Sequence, residues 1–595
     1  MQKKAFVGQK PGEAAGMGKK RESGQGFLRG ALVLLLAVGI VKVIGAFFKI
    51  PLNAIIGDVG MGYFGTAYTI YNPVFSLATA GFPVAIARLV SENKELGRYR
   101  DVRRLHAVSI PIFLLLGALA CALMALGAAP FLALINRGDQ NALPAVYVLA
   151  PAVLFGSMSA IYRGYYEGLG DMRPTALSEV AEAACKLVLG LFCASWVMDH
   201  AMEEYALQGT VLGQPAASEE YARSAALPWA AAGAILGVTA GSVLSLLVLL
   251  LYHRLRGDGI RPEQLRQSPA PAGRRKLVRA LVRTAVPVAL GALAVNLSSL
   301  VDTAFLQNRI TAVMEQDGEV LLGLYGGFLR PEDIAQGRVP TALFGCYTNA
   351  LTLFMLVPAM TQAFGVSALP SVTAAWTSGS RRKLEASIGS VLRVVALVTV
   401  PAGIALSVLS GPIAALLGYN PVTGKILVLL GLGSIFAAAN TPINSMLQAV
   451  GRIDLPVKLL CVGLVIKVAL NYALTSVPEI NVMGAGVGTL VCYFFLTFFG
   501  LAALGKETNL PIPLFRLFGK PFLASLAAAA AGWNTAKLAE RFVPQRAAAL
   551  PAMAVFLIVY AFFVLFFRVL KKSDFSALPA GEKIAKILEK HHWIG

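Results

Sequence analysis

Fourteen stretches of the chain stay apolar for about eighteen residues or more, the length at which an α-helix can cross the hydrocarbon core of a bilayer. Seven lie in the first half: Phe27–Leu52, Tyr63–Val90, Leu105–Leu134, Leu143–Tyr166, Thr175–Val197, Ala226–Tyr252 and Leu277–Leu306. Seven follow: Thr341–Leu369, Leu384–Leu409, Ile426–Val450, Leu455–Thr475, Val482–Ala503, Leu517–Leu538 and Ala547–Phe567. With 56% of residues apolar and 14% charged, no soluble surface is left to cover these stretches. The pattern predicts an all-α integral membrane protein with about fourteen transmembrane helices. It excludes an ordinary soluble enzyme, and the lack of any Gly or Pro period excludes a collagen-like chain. The first stretch is too long for the core of a cleaved signal peptide and predicts a full crossing.

The net charge is +20, from 52 Lys and Arg against 32 Asp and Glu. In a soluble protein such an excess would suggest nucleic acid. Here the charges stand between apolar stretches, so the expected partner is the membrane surface and no nucleic acid is expected. With the N-terminus in the cytoplasm, the inner segments hold 35 of the 52 basic residues, the outer loops 8 and the spans 9. That bias predicts a multi-pass protein of the cell membrane with both termini cytoplasmic. The richest basic segment, Arg254–Arg283, falls at mid-chain and reads as a linker between two halves. Six cysteines stand singly inside apolar runs, and the five histidines are scattered apart from His591-His592. Neither a metal site, a disulfide framework nor a cofactor is expected.

The halves resemble each other. Gly170-Asp171-Met172-Arg173-Pro174 precedes the fifth span, which carries Lys186; Gly451-Arg452-Ile453-Asp454-Leu455-Pro456 precedes the eleventh, which carries Lys467. Glycine and lysine are 16 residues apart in both. The next span opens with Gly233-Ala234-Ile235-Leu236-Gly237 in one half and Gly484-Ala485-Gly486-Val487-Gly488 in the other. Spans three and nine both follow a basic pair, Arg103-Arg104 and Arg381-Arg382. A parallel duplication of six spans predicts a cavity between the halves. The expected organisation is a basic arm (1–26), a first lobe (27–254), a basic linker (255–276), a second lobe (277–504), two further helices (505–568) and a cytoplasmic tail (569–595).

Ionisable groups inside a bilayer are costly, so each is a functional candidate. Lys42 and Lys49 are two turns apart on the first span, and Lys42 has no acid within four residues. Lys49, next to Pro51, could instead snorkel to the outer interface. Arg163 and Glu167 on span four, and Glu182 and Lys186 on span five, have the (i, i+4) spacing of pairs that satisfy themselves along one helix. Glu179 adds a third charge to span five. Asp302 lies on span seven, and Lys467 and Asn471 lie on span eleven, where Asp302 and Lys467 could pair between helices. Pro73, Pro83, Pro287, Pro358 and Pro401 permit bends within spans.

Soluble catalytic motifs fail. Gly500-Leu501-Ala502-Ala503-Leu504-Gly505-Lys506-Glu507 approaches a phosphate-binding loop, but Glu507 replaces the required Ser or Thr and the segment ends a span. Glu203, Glu204, Glu219 and Glu220 in the outer loop could serve glycosyl chemistry, though a charged solvated loop is the plainer explanation. No catalytic residue is assigned.

Two segments carry a family resemblance. Gly57-Asp58-Val59-Gly60 with Ala78-Thr79-Ala80-Gly81-Phe82-Pro83-Val84-Ala85-Ile86-Ala87-Arg88-Leu89-Val90-Ser91-Glu92 is one. Tyr162-Arg163-Gly164-Tyr165-Tyr166-Glu167-Gly168 with Met172-Arg173-Pro174, Ser178-Glu179 and Glu182 is the other. They resemble the stage V sporulation protein B and MurJ-like lipid II flippases of the multidrug/oligosaccharidyl-lipid/polysaccharide (MOP) exporter superfamily. The resemblance implies two six-helix lobes in a V plus two C-terminal helices lining a lipid groove. It implies a flippase, not an enzyme, that carries an undecaprenyl-pyrophosphate-linked cell-wall precursor, lipid II first, by alternating access. The expected partners are that lipid-linked sugar, membrane lipids and the cell-wall synthesis machinery, and the expected state is a monomer.

The family places basic residues on its first helix, where Lys42 and Lys49 stand, and Arg163 joins them as a candidate for an anionic head group. Relatives often have arginines in helices two and eight; the neighbourhood of Phe75 and all of Thr341–Leu369 have none. Asp302 matches an acid of the sodium site found in some members, but Lys467 stands where that site wants an oxygen, so a built-in ammonium replaces sodium coupling. The alternatives are a flippase for another polysaccharide or teichoic-acid intermediate, a multidrug antiporter of the same fold, and a membrane glycosyltransferase or polymerase. The tail segment Gly581–Lys590 predicts a short interfacial helix, with Ile584, Ile587 and Leu588 on one face.

Overall fold

The computed structural model describes residues 17–79, 81–135, 139–452, 454–511, 513, 515–567 and 569; for 17–36, 135, 287–304, 363, 366, 367, 369–371 and 516 it describes the backbone alone. The tail helix expected at Gly581–Lys590 lies outside the described residues. The first half comprises α1 (Met17–Thr79), α2 (Gly81–Glu95), α3 (Tyr99–Ile135), α4 (Leu143–Leu169), α5 (Arg173–Gln208) and α6 (Glu219–Arg256). A two-stranded hairpin, β1 (Thr210–Val211) against β2 (Gln214–Pro215), joins α5 to α6. The linker holds α7 (Pro262–Gln267). The second half follows with α8 (Arg274–Tyr325), α9 (Pro331–Ala335), α10 (Val339–Phe354), α11 (Leu356–Thr377), α12 (Arg381–Val408) and α13 (Ser410–Leu416). Then come α14 (Pro421–Ala449), α15 (Asp454–Thr475), α16 (Val482–Thr508), α17 (Lys520–Ala539) and α18 (Gln545–Phe566).

Among the described residues, eleven stretches are long and apolar enough to cross a membrane. The longest, Ala37–Glu95, has 59 residues, about 90 Å of helix at 1.5 Å per residue and far more than one crossing needs. It folds back at Gly57, whose φ of 65° and ψ of −172° break the helix. Phe48 and Phe64, on either side of that turn, face each other with ring centroids 6.0 Å apart. The kink is at a glycine, not at one of the span prolines; Pro73 and Pro401 sit inside helices that continue past them. The Gly500–Glu507 segment is helical throughout α16, so it forms no phosphate loop.

The internal repeat is visible atom by atom. Gly170 and Gly451 both end a helix in the left-handed region, at φ 85° and 88°. A Cβ on Gly233 would stand 2.9 Å from the carbonyl oxygen of Cys193, and one on Gly484 would stand 2.7 Å from the Leu474 side chain. Cys193 and Leu474 each lie seven residues beyond the repeat lysine, Lys186 or Lys467. One turn on, a Cβ on Gly237 would collide with the Gly190 backbone, and one on Gly488 with Asn471. Between helices in lipid there is no hydrophobic drive, so this close approach of small residues is what binds α5 to α6 and α15 to α16.

The linker is pinned to the first half. Arg103 on α3 makes a bidentate pair with Asp258, at 2.6 and 3.0 Å, and Arg100 and Arg104 donate to linker carbonyls at Leu265, Pro271 and Ala272. Burial pushes the Asp258 carboxyl up, but the Arg103 bonds and the Ile260 amide outweigh that and hold it below the usual carboxylate range. The linker therefore stays docked at neutral pH.

Candidate functional site

Where the halves meet, α10 lies in the angle of the folded α1. A Cβ on Gly62 would strike Thr341, one on Gly345 would strike the Asp58 carbonyl, and one on Gly65 would stand 2.6 Å from the Thr348 hydroxyl. Asn349 donates to Asn53 at 2.8 Å, Asn420 donates to Asp58 at 3.0 Å, and Arg338 donates to the Ser224 carbonyl at 2.8 Å. Among the described residues these bonds gather at the α1 turn, so the halves are sealed at that end.

Inside the seal lies a charged wall. Lys49 donates to Thr352 on α10 at 2.8 Å. It stands eight residues before the turn, about 12 Å down the helix, so it does not snorkel to the outer interface; it reaches across to the other half. Lys186 on α5 donates to the Tyr68 hydroxyl at 3.0 Å and lies over the Phe48 and Tyr68 rings at 5.0 and 5.1 Å. The Lys49 and Lys186 charges act on each other as like charges.

The expected (i, i+4) pairs do not form. Arg163 instead spans three helices, donating to Glu182 at 2.8 Å, Ser178 at 3.0 Å and Ser245 at 2.8 Å, with Glu179 at 3.8 Å. Glu167 accepts from Thr175 at 3.2 Å. A guanidinium with several donors in a fixed fork can serve acceptors on neighbouring helices, which a helix's own next turn cannot supply together. Arg163 is thereby neutralised by two carboxylates. Lys42 is exposed; its charge acts on Glu179, but no carboxylate lies within ion-pair distance among the described residues.

In the second half α8, which carries Asp302, packs along α15, which carries Lys467 and Asn471. The Asp302 side chain lies outside the described residues. Asn471 is buried against α16, in the notch that Gly488 leaves. The structure therefore brings Lys42, Lys49, Arg163, Glu179, Glu182 and Lys186 together and places Asp302, Lys467 and Asn471 in the other half. Sequence reasoning does not single out Tyr68, Ser245 or Thr352, and it names Ser178 only within the family motif. Tyr68 has a signal in the chain: Phe64, Tyr68, Tyr71 and Phe75 recur at helical spacing, and successive rings are in contact, with centroids 4.8 to 5.8 Å apart.

Three of the acids at the connection of α5 and α6 serve the local fold. Glu204 accepts from the Thr210 hydroxyl and from the Leu212 and Gly213 amides, each at 2.9 Å, which closes the β-hairpin. Glu219 and Glu220 occupy the first turn of α6 behind the Ser218 cap, where negative charge suits the helix dipole. A paired-carboxylate reaction centre is not assembled.

Two family models match the chain: "Polysaccharide biosynthesis protein" over residues 27–216 and "MatE" over residues 337–473. The lipid II flippase MurJ of Bacillus subtilis is 26% identical over 507 residues, covering 81% of this chain and 83% of its own. Stage V sporulation protein B of the same organism is 22% identical over 586 residues, covering 93% and 98%. A solved lipid II flippase MurJ in an inward closed conformation superposes with a TM-score of 0.62 at 14% identity, over 90% of this chain and 98% of that one. Along most of its length the chain is similar to lipid-precursor flippases and has the fold of MurJ and MATE transporters. An inward-facing multidrug MATE transporter of the MOP superfamily shares the fold with a TM-score of 0.54 at 15% identity, over 80% and 96%. Its relatives and structural neighbours are transporters, and with its many apolar helices the chain is a multi-pass membrane transporter and not an enzyme.

Proposed function

We propose that this exporter flips an undecaprenyl-pyrophosphate-linked cell-wall precursor, lipid II foremost, from the inner to the outer leaflet of the cytoplasmic membrane. Both termini are then cytoplasmic, the sealed end is the outer one, and the protein works by alternating access. The observation that carries the reading is the separation of charges on the wall. Arg163 is neutralised by Glu179 and Glu182, whereas Lys42, Lys49 and Lys186 have only neutral or distant partners among the described residues. Three ammonium groups in a cavity of low dielectric suit a pyrophosphate. They do not suit the cationic cargo of a multidrug antiporter. Arg163, first grouped with the anion-binding residues, becomes the group that holds the two acids in place. The similarity to MurJ supports lipid II, and the similarity to stage V sporulation protein B supports the wider class of lipid-linked sugars.

Depleting the protein and identifying which undecaprenyl-linked intermediate accumulates on the inner leaflet tests the substrate. Lipid II is expected; a teichoic-acid or capsule intermediate with lipid II unchanged would replace it. In the same assay Lys42→Ala should abolish flipping in inserted protein and Lys42→Arg should keep part of it. Full transport by Lys42→Gln would remove the charge argument.

A further inference from the structure

Asp58 follows Gly57 in the turn between the two crossings of α1, and its carboxylate lies in the seam between the halves. Its Oδ2 accepts from Asn420 Nδ2 at 3.0 Å; its Oδ1 is buried and takes no N–H or O–H donor among the described residues, and the Cys346 thiol, a weak donor, lies against the carboxylate. The carboxylate oxygen is out of contact with solvent, and the backbones pack closely beside it, since a Cβ on Gly345 would collide with the Asp58 carbonyl oxygen. Three ionisable groups face it: Arg330 from the segment before α9, Asp333 on α9 and the Cys346 thiol on α10. α14 offers the neutral Asn420, and α1 adds no other charge. Arg330, whose guanidinium lies 3.4 Å from where a Gly57 Cβ would stand, makes no ion pair with Asp58 at 4 Å or less among the described residues.

We propose that Asp58 is a proton-binding site that latches the sealed end: closing the seam takes up a proton on its carboxyl group, and opening the seam releases it. A carboxylate with one oxygen dry and without an N–H or O–H donor is costly, whereas the protonated acid is not; once the seam opens, water solvates the anion and the cost disappears. Closure and proton uptake are therefore linked. Asp333, 8% exposed, acts in the same sense. Burial raises its carboxyl to about 6, with Glu332 and Asp58 adding to the rise and Arg330 and Arg338 opposing it. A raised carboxyl stabilises the closed seam below its ordinary range, and that stability is lost as pH rises through about 6. Both groups make acid the closing signal. Because they lie at the sealed end, the proton comes from and returns to the same side, so the latch reads pH without carrying protons across. That the side is the outer one rests on the orientation proposed above.

Cys346, fully buried behind the latch, reports opening. With Cys121, Cys185, Cys193, Cys461 and Cys492 replaced by Ala, right-side-out vesicles are treated with a membrane-impermeant maleimide at outer pH 5.5 and 8. Asp58→Asn mimics the protonated acid and should be modified slowly, keeping only the thiol's own pH response and the part that Asp333 contributes. The parent should exceed that response by up to about tenfold per pH unit, and Asp58→Glu should keep the excess. An Asp58→Asn variant with the parent's pH response would overturn the site, as would loss of the response in Asp58→Glu. If the pH-driven modification appears only in inside-out vesicles and Asp58→Asn abolishes it there, the latch stands and the orientation falls.

Discussion

Lys186 turns away from Glu182, four residues before it, and donates to Tyr68 on α1 instead. The carboxylate is taken by Arg163 from α4. Spacing along one helix allows a pair, but three helices offer competing partners, and the multidentate guanidinium wins the acid. The two cations should therefore fail differently when removed. Arg163→Ala leaves Glu179 and Glu182 partly buried without a counter-charge, and a loss of about 1–3 kcal/mol is expected, less than for a fully buried pair because these side chains retain some solvent. Detergent melting should fall in Arg163→Ala and recover in part when Glu182→Gln is added. Lys186→Met leaves no stranded acid, so melting should hold while flipping falls at least tenfold. Equal loss of melting in both variants would show that the wall is structural.

At the scale of the element, the Gly-x-x-x-Gly spacing within α6 and near the start of α16 can be read from the chain as repeat and as close packing. What lies opposite cannot. Gly488 faces Asn471 and the carbonyl of Lys467, which is 3.4 Å from where a Cβ on the glycine would stand, so the glycine clears the turn that carries the candidate charges. Gly488→Ala should shift α15, with about 1–3 kcal/mol lost to overpacking, and weaken transport. Gly486→Ala, where the nearest atom, Leu429 Cβ, would lie at 3.2 Å and no backbone atom nearer than 3.9 Å, should cost less. A thermal-shift series on the two variants separates them; equal effects would mean that the repeat glycines are interchangeable filler. The α1 turn is equally hidden in the chain. Five span prolines suggest bends, yet the fold-back is at Gly57, whose positive φ shows only in the folded chain.

For the whole molecule, the seal at the α1 turn predicts that movement of the halves is obligatory. Asn53 and Asn349 meet across it at 2.8 Å. Asn53→Cys with Asn349→Cys should form a disulfide under oxidation, stop transport, and recover after reduction, while each single variant keeps working. Transport by the oxidised, cross-linked protein would show that the seam need not open.

The sequence by itself determined the environment, the number of crossings expected, the twofold repeat and the identity of the charges. Those properties follow from apolar length, basic bias and residue order, which are local and additive along the chain. Only the tertiary structure decided which charges pair, that Lys49 bridges the halves, that Glu204 closes a hairpin, and that Asp58 is buried in the seam. Those outcomes depend on competition among side chains from helices far apart in sequence, such as Asp58 with Asn420 and Lys49 with Thr352. In low dielectric, each partner chosen by one group changes the cost of leaving the next group bare.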